Sequence, residues 1–215
     1  LSVAELRRAV KNALAFASSQ PDVAEAEVFA SAGANLTVRL NYTSHIPSNG
    51  VEEPKSTEGY GLGIRATFRT PNGIKTGFGS EPTDLSVEGA TRALDKARFG
   101  AVSDAEFVSL PRLDTPLRAT SKKDAEPGNR EPTNYDSALM RIGGKGLVDA
   151  GWRMMDRALD TFQSSEDLMG LAGSAEKMAE LGLILGGDVV MLQDRMAIAS
   201  THIPRVQTEQ NTLVM

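Results

Sequence analysis

Residues 58–82 constrain this chain more than any other stretch, because they spell out a hairpin with its turn chemistry included. Leu62, Ile64, Ala66 and Phe68 alternate with Arg65, Thr67 and Arg69, the period-two pattern of a half-buried strand. Pro71, Asn72 and Gly73 then turn the chain, since proline presets φ while asparagine and glycine accept positive φ. The chain returns through 74–80, and a helix is expected over 84–99 with Thr83 or Asp84 as its N-cap. Val87, Ala90, Leu94 and Ala97 share one face of that helix and Gly100 stands just past its end. The block reads as a hairpin with a helix packed on it.

The segments before it follow the same α+β logic. Ser2 and Glu5 form a capping box ahead of Leu6, Val10, Leu14 and Ala17 at helical spacing, so a first helix runs to about Ser19 and Pro21 closes it. Residues 23–32 and 35–42 each alternate, and Ser31, Ala32, Gly33 and Ala34 between them suit a turn, which predicts a second hairpin. Pro111, Pro116, Pro127 and Pro132 break any pattern across 111–134, a linker or long loop. Leu147, Gly151, Met154, Ala158 and Phe162 then predict a helix over 145–163. Beyond it, 168–172 reads as a short strand, 174–181 as helical, 183–187 as strand and turn, and 188–201 as a strand pair broken near Gln193 and Asp194. The fold class expected is α+β: a twisted antiparallel sheet of hairpins with flanking helices. Its divisions are 1–110, a linker at 111–134, and a C-terminal α+β section at 135–215 whose apolar end, Thr212 to Met215, is expected to continue.

Composition narrows the function. With 215 residues, 40% hydrophobic and 24% charged, the chain can bury one core or a core with an annex. A net charge of −5 argues against a phosphate-binding nucleic-acid scaffold. The absence of cysteine removes disulfides, thiolate nucleophiles and thiolate metal ligands together. With no basic-then-apolar leader and no run of eighteen apolar residues, neither export nor a membrane partner is expected, and cytoplasm is the default.

Several motifs invite chemistry, each with a plainer alternative. His45 and His202 sit in near-identical contexts, each preceded by Ser and Thr and followed by Ile and Pro. The pair reads either as a duplicated unit bringing two imidazoles to a metal or acid–base site, or as two strand-end residues. Gly59, Gly61 and Gly63 resemble a phosphate loop but lie inside a strand, where glycine marks a bulge or a close backbone approach. Gly143, Gly144, Lys145 and Gly146 lack the Ser or Thr of a P-loop and read as a flexible helix lead-in. Glu52, Glu53 and Glu58 around Lys55, and Arg65, Arg69 and Lys75 on the hairpin, are a solvated face or a contact surface for a peptide or subunit. Trp152, Met154, Met155 and Phe162 are core or groove.

The ordered set Asn49, Gly50, Val51 and Glu52, then Gly61 to Arg65, then Asn72 and Gly73 with Thr76, Gly77 and Phe78 before an alanine-rich helix, resembles the N-terminal domain of the TldD/PmbA family, the modulator-of-DNA-gyrase proteins. The resemblance covers roughly 23–102 and continues more weakly to the C-terminus. It implies the N-terminal region of a bacterial or archaeal two-domain metallopeptidase or of its metal-free partner subunit. It also implies a homodimer or a heterodimer with a related subunit, and a peptide or unfolded polypeptide substrate. The family's zinc helix carries His-Glu, three residues and a second His. Neither histidine here is followed by Glu, so no catalytic, cofactor-binding or metal residue is assigned; the resemblance implies no cofactor in this chain, with zinc in the missing C-terminal domain if the parent is of the zinc type, and the chain alone is expected to be inactive. The alternative, from the residues, is a stand-alone module binding a peptide or protein, and a weaker one is a small-molecule enzyme using His45 and His202.

Overall fold

The computed structural model describes residues 1–46, 50–112 and 136–215. The expected linker lies outside them except for Pro111 and Arg112, as do Pro47 and Asn49. In chain order the elements are α1 (Val3–Ser18), β1 (Val23–Thr43), β2 (Gly50–Val51), β3 (Lys55–Thr70), β4 (Gly73–Pro82), α2 (Val87–Phe99), α3 (Gly144–Ser164), α4 (Glu166–Ala172), β5 (Ile184–Ser200) and β6 (Ile203–Val214). The six strands form an antiparallel sheet in the order β4-β3-β1-β5-β6, with β2 paired to β1. The α+β expectation holds.

Two compact units share these elements. The first draws on Leu1–Gly33, Glu58–Tyr135 and Asp194–Asn211, the second on Ala34–Thr57, Asp136–Gln193 and Thr212–Met215. These units interleave along the chain, because β1, β3, β5 and β6 each contribute to both.

In the first unit, alternation sets the core. Ala26, Val28, Ala30 and Ala32 of β1 and Leu62, Ile64, Ala66 and Phe68 of β3, with Ala197 and Ala199 of β5, pack with α1 and α2. The helices contribute Leu6, Val10, Ala13 and Ala17, and Ala90, Ala93, Leu94 and Ala97. Each fully buried Leu, Ile or Val in such a layer is worth about 1.5–3 kcal/mol. Small residues let the layers approach closely. A Cβ on Gly77 would overlap the Ala97 carbonyl oxygen, and one on Gly79 the Ala93 carbonyl oxygen, so α2 rests directly on the backbone of β4. The capping box of α1 forms as expected, with Ser2 N–H donating to Glu5 Oε2 at 2.6 Å. The central hairpin forms with Thr70 opposite Gly73, whose φ is 108°.

In the second unit, Val38 and Leu40 of β1 and Val189 and Met191 of β5 pack with Leu147 and Met155 of α3. Gly151 gives α3 its close approach, because a Cβ there would lie 3.2 Å from Leu40 and 3.4 Å from Val51.

Several expectations need correction. Residues 23–42 are not a hairpin: β1 runs through Ser31, Ala32, Gly33 and Ala34 as one strand of 21 residues. Apart from the exposed Phe29, the apolar positions stay even-numbered from Ala24 to Leu40, and a turn would have had to preserve that phase by accident. The cap of α2 is Ser86, whose hydroxyl accepts from Gly89 N–H at 3.2 Å; Asp84 instead accepts from Ser86 N–H at 2.9 Å. Residues 166–172 are a helix, capped by Ser165 and ended by Gly173 at φ 79°, where a strand was expected at 168–172. Finally β5 is one strand over Ile184–Ser200, with neither the turn expected at 183–187 nor the break expected near Gln193 and Asp194, where the Gln193 amide, 8% exposed, donates to Leu139 carbonyl oxygen at 3.2 Å and meets its polar need inside the unit.

Candidate functional site

One face of the first unit's sheet carries the helices; the other carries the odd-numbered residues of β1 and β3. On that second face a row of polar contacts crosses the strands. Val102, just past α2, exchanges both backbone hydrogen bonds with Thr76 on the outer edge of β4, at 2.9 and 3.0 Å. Thr76 is the cross-strand partner of Thr67 on β3. The Thr67 hydroxyl accepts from Glu25 N–H on β1 at 3.0 Å. Glu25 then reaches His202, at the turn between β5 and β6, with Nε2 2.8 Å from Oε1.

Glu25 is the centre of this row. Its Oε2 accepts from Leu110 N–H at 2.8 Å and its Oε1 from the Arg112 guanidinium at 3.0 Å. The His202 contact is a close ion pair when the ring is protonated, but the ring N–H is not aligned on the oxygen as in a directed hydrogen bond. Side-chain exposures of 15% for Glu25 and 19% for His202 place both out of bulk water. Burial pushes the Glu25 carboxyl up, yet the Leu110 N–H, His202 and Arg112 together outweigh it and hold the group below the usual carboxylate range. A carboxylate so loaded is a weak base at neutral pH. The Ser200 hydroxyl takes the backbone N–H of His202 at 3.2 Å, so this contact does not pair a nucleophile with the ring.

Further along the same face, Glu27 pairs with Arg65 at 2.8 Å, and the Arg69 guanidinium donates to the carbonyl oxygens of Val23 and Pro21. Phe78, 65% exposed, lays its ring over Gly63, where a Cβ would come within 3.0 Å of it. Gly61 lies against the Glu81 carbonyl oxygen at a similar distance, so these two strand glycines serve close packing inside the sheet. Gly59 has nothing near it.

The second unit holds the other singled-out residues. His45 is exposed, its ring beside Gly182, while Ser44 ties the same turn down by donating to Ala179 carbonyl oxygen at 2.7 Å and accepting from Leu183 N–H at 2.9 Å. His45 thus belongs to the second unit and His202 to the first. Gly143 caps α3 and Lys145 pairs with Asp149 at 3.1 Å. Of the α3 residues, Met155 is core; Trp152 is 44% exposed with its ring against Gly50, and Met154 is half exposed. Glu52 accepts from the Asn41 amide at 3.4 Å.

Comparison with solved structures decides the fold type. The structure of TldE from Thermococcus kodakarensis superposes with a TM-score of 0.55 at 12% identity, covering 98% of this chain and 37% of that one. The chain has a TldD/PmbA-like fold. A putative modulator of a DNA gyrase from Thermotoga maritima also matches, with a TM-score of 0.49 at 11% identity over 95% of this chain and 37% of that one. The chain therefore spans little more than a third of the length of either. No family model and no curated protein matches the chain.

Zinc takes three or four ligands. Among the described residues no three of His, Asp and Glu gather at one point, and His202 Nε2 already faces a carboxylate. The row around Glu25 was not foreseen from sequence. Glu25 is there only an acidic residue in an alanine-rich strand, and its partners lie as far as 177 positions away.

Proposed function

We propose that the chain is the N-terminal, non-zinc-binding region of a TldD/PmbA-like protein, which lends substrate-access and partner surfaces to a peptide-cleaving metallopeptidase or forms part of its metal-free partner subunit. The observation that carries this reading is the fold likeness to TldE across 98% of the chain at 37% of TldE's length, which leaves the larger part of such a protein to supply the chemistry. In this reading the parent is a cytoplasmic homodimer or heterodimer, its substrate is peptide or unfolded polypeptide, and zinc is held outside 1–215. The lowered Glu25 carboxyl and the absence of cysteine agree with a surface that positions rather than cuts.

The test uses the reading frame beyond Met215 and the purified parent. A helix encoding His-Glu, three residues and His assigns the zinc type, and its absence assigns the metal-free type. Residues 1–215 alone should leave a fluorogenic peptide mixture intact, with or without added zinc, while the parent with its partner subunit cleaves it. Hydrolysis by 1–215 alone would refute the proposal.

A second reading is a stand-alone module that adds an extended peptide to a sheet edge. The Val102 rung on the outer edge of β4 favours it, since that edge already accepts a strand residue in antiparallel register. Peptide binding by 1–215 with no frame continuing past Met215 would promote it.

A further inference from the structure

We propose that residues 103–112 form a strap that opens and closes across the first unit's sheet face near the β3–β4 turn, with Glu25 as its latch. The inference stands on the geometry of the first unit and does not depend on the family reading.

The strap is attached at two points. At one end Val102 makes its rung with Thr76 on β4. At the other, Leu110 N–H and Arg112 both bind the Glu25 carboxylate on β1. Since β3 lies between β4 and β1, the segment must cross β3, and it crosses on the face from which the Glu25 side chain projects. Thr67 is the β3 residue between the two attachment points. It is 1% exposed although it lies on the face away from α1 and α2, as expected of a residue under a covering segment.

Between its attachments the strap has little to hold it. Residues 103–106 are exposed, and Val108 is 94% exposed. Its internal bonds are local: Asp104 accepts from Glu106 N–H at 2.9 Å through its side chain and from Phe107 N–H at 3.3 Å through its carbonyl oxygen, and at the far end the Ser109 hydroxyl donates to Leu110 carbonyl oxygen at 3.0 Å and accepts from Arg112 Nε at 3.1 Å. Leu110 is its one fully buried side chain. A segment with so few buried apolar contacts opens at a small fraction of the cost of unfolding the sheet. Opening requires only that Leu110 leave its site and that Glu25 lose two of its three partners.

The charges around the latch come from the strap, the β5–β6 turn, β1 and β3. Arg112 on the strap and His202 at the β5–β6 turn face the Glu25 carboxylate directly. On β1 and β3 the neighbouring charges are committed elsewhere: Glu27 to Arg65, and Arg69 to the carbonyl oxygens of Pro21 and Val23. Glu25 is therefore the carboxylate for both Arg112 and His202, and its neutralisation frees the strap while the β3–β4 ladder stays paired.

Amide hydrogen exchange, followed residue by residue in the chain and in Glu25→Gln, tests this. Release of the latch should speed exchange at Leu110 and across 103–112 by about ten-fold or more, the scale of a lost hydrogen bond to a charged group. Protection at Ile64, Ala66 and Gly79 in the ladder should not change. If the variant does not fold, Arg112→Gln leaves Glu25 and the Leu110 bond in place and should give a smaller acceleration confined to the same segment. Unchanged exchange at Leu110 would overturn the proposal, and so would equal acceleration of Leu110 and the ladder, which would make Glu25 a structural residue of the whole unit.

Discussion

Gly79 of β4 lies so close beneath the carbonyl oxygen of Ala93 in α2 that no other residue fits there without moving the helix. The contact is to backbone on both sides, so no side-chain rotation relieves it. Gly79→Ala should destabilise the first unit by about 3 kcal/mol, the upper end of overpacking costs. Gly77→Ala, against the Ala97 carbonyl oxygen, should behave alike. Gly59→Ala, with open space around it, should stay within about 0.5 kcal/mol of the parent. Urea denaturation of the three variants checks the set, and a Gly79→Ala protein as stable as Gly59→Ala would show that α2 does not rest on the strand backbone.

Thr83 is the one described non-glycine residue at positive φ, at 63°, in the connection between β4 and α2. A β-branched side chain in the left-handed region costs about 1–2 kcal/mol. Its N–H donates to Tyr60 carbonyl oxygen at 2.9 Å, a bond that glycine would keep. Thr83→Gly should therefore raise stability by about 1 kcal/mol, less whatever glycine adds to the entropy of the unfolded chain. A thermal or urea midpoint below that of the parent would contradict the strain.

Two carboxyls predict the acid limb of stability. Glu25 is held below the usual range, burial notwithstanding, by Leu110 N–H, His202 and Arg112, and Asp84 is lowered to about 2 by the Ser86 side chain and backbone and by Arg92. A depressed native pKa means the unfolded chain binds the proton first on the way down. The stabilisation is thus complete above the ordinary carboxylate values of about 4 and is lost as pH falls through the lower native values. Stability measured between about pH 6 and pH 2 should decline less steeply in Glu25→Gln and in Asp84→Asn than in the parent. Parallel curves would sink the assignment.

Metal content gives a further check. Two imidazoles and no thiolate leave a zinc ion to find carboxylates or water, a weak donor set unless prearranged. Elemental analysis of purified 1–215 should find no stoichiometric zinc, with His45→Gln and His202→Gln both at the same background. About one zinc per molecule, lost on changing either histidine, would promote a small-molecule enzyme over the reading proposed above.

Local chemistry alone determined several elements. The Ser2 and Glu5 box starts α1, the Pro71 and Asn72 turn sets the register of β3 and β4, and the spacing of Leu147, Gly151, Met154, Ala158 and Phe162 marks α3, although the buried stripe holds Met155 where Met154 was expected. In each case the deciding interactions lie within a few residues of one another. The Ser165 cap and the Gly173 terminus of α4 were equally local signals, but the apolar residues between them were read as a strand.

Tertiary structure decided what depends on partners distant in the chain. Ser31, Ala32, Gly33 and Ala34 have the composition of a turn, yet β1 stays extended because β3 and β5 flank it in the sheet and take up its backbone hydrogen bonds. Gln193 looks like a strand break until Leu139 supplies its acceptor. The row through Thr76, Thr67, Glu25 and His202 exists only once four strands are paired, and the strap on it joins Leu110 to Glu25 across 85 positions. Periodicity reports which side of a strand is apolar; it carries no information on which distant carboxylate a backbone N–H will meet, because that is fixed by how the strands pair and not by their local preference.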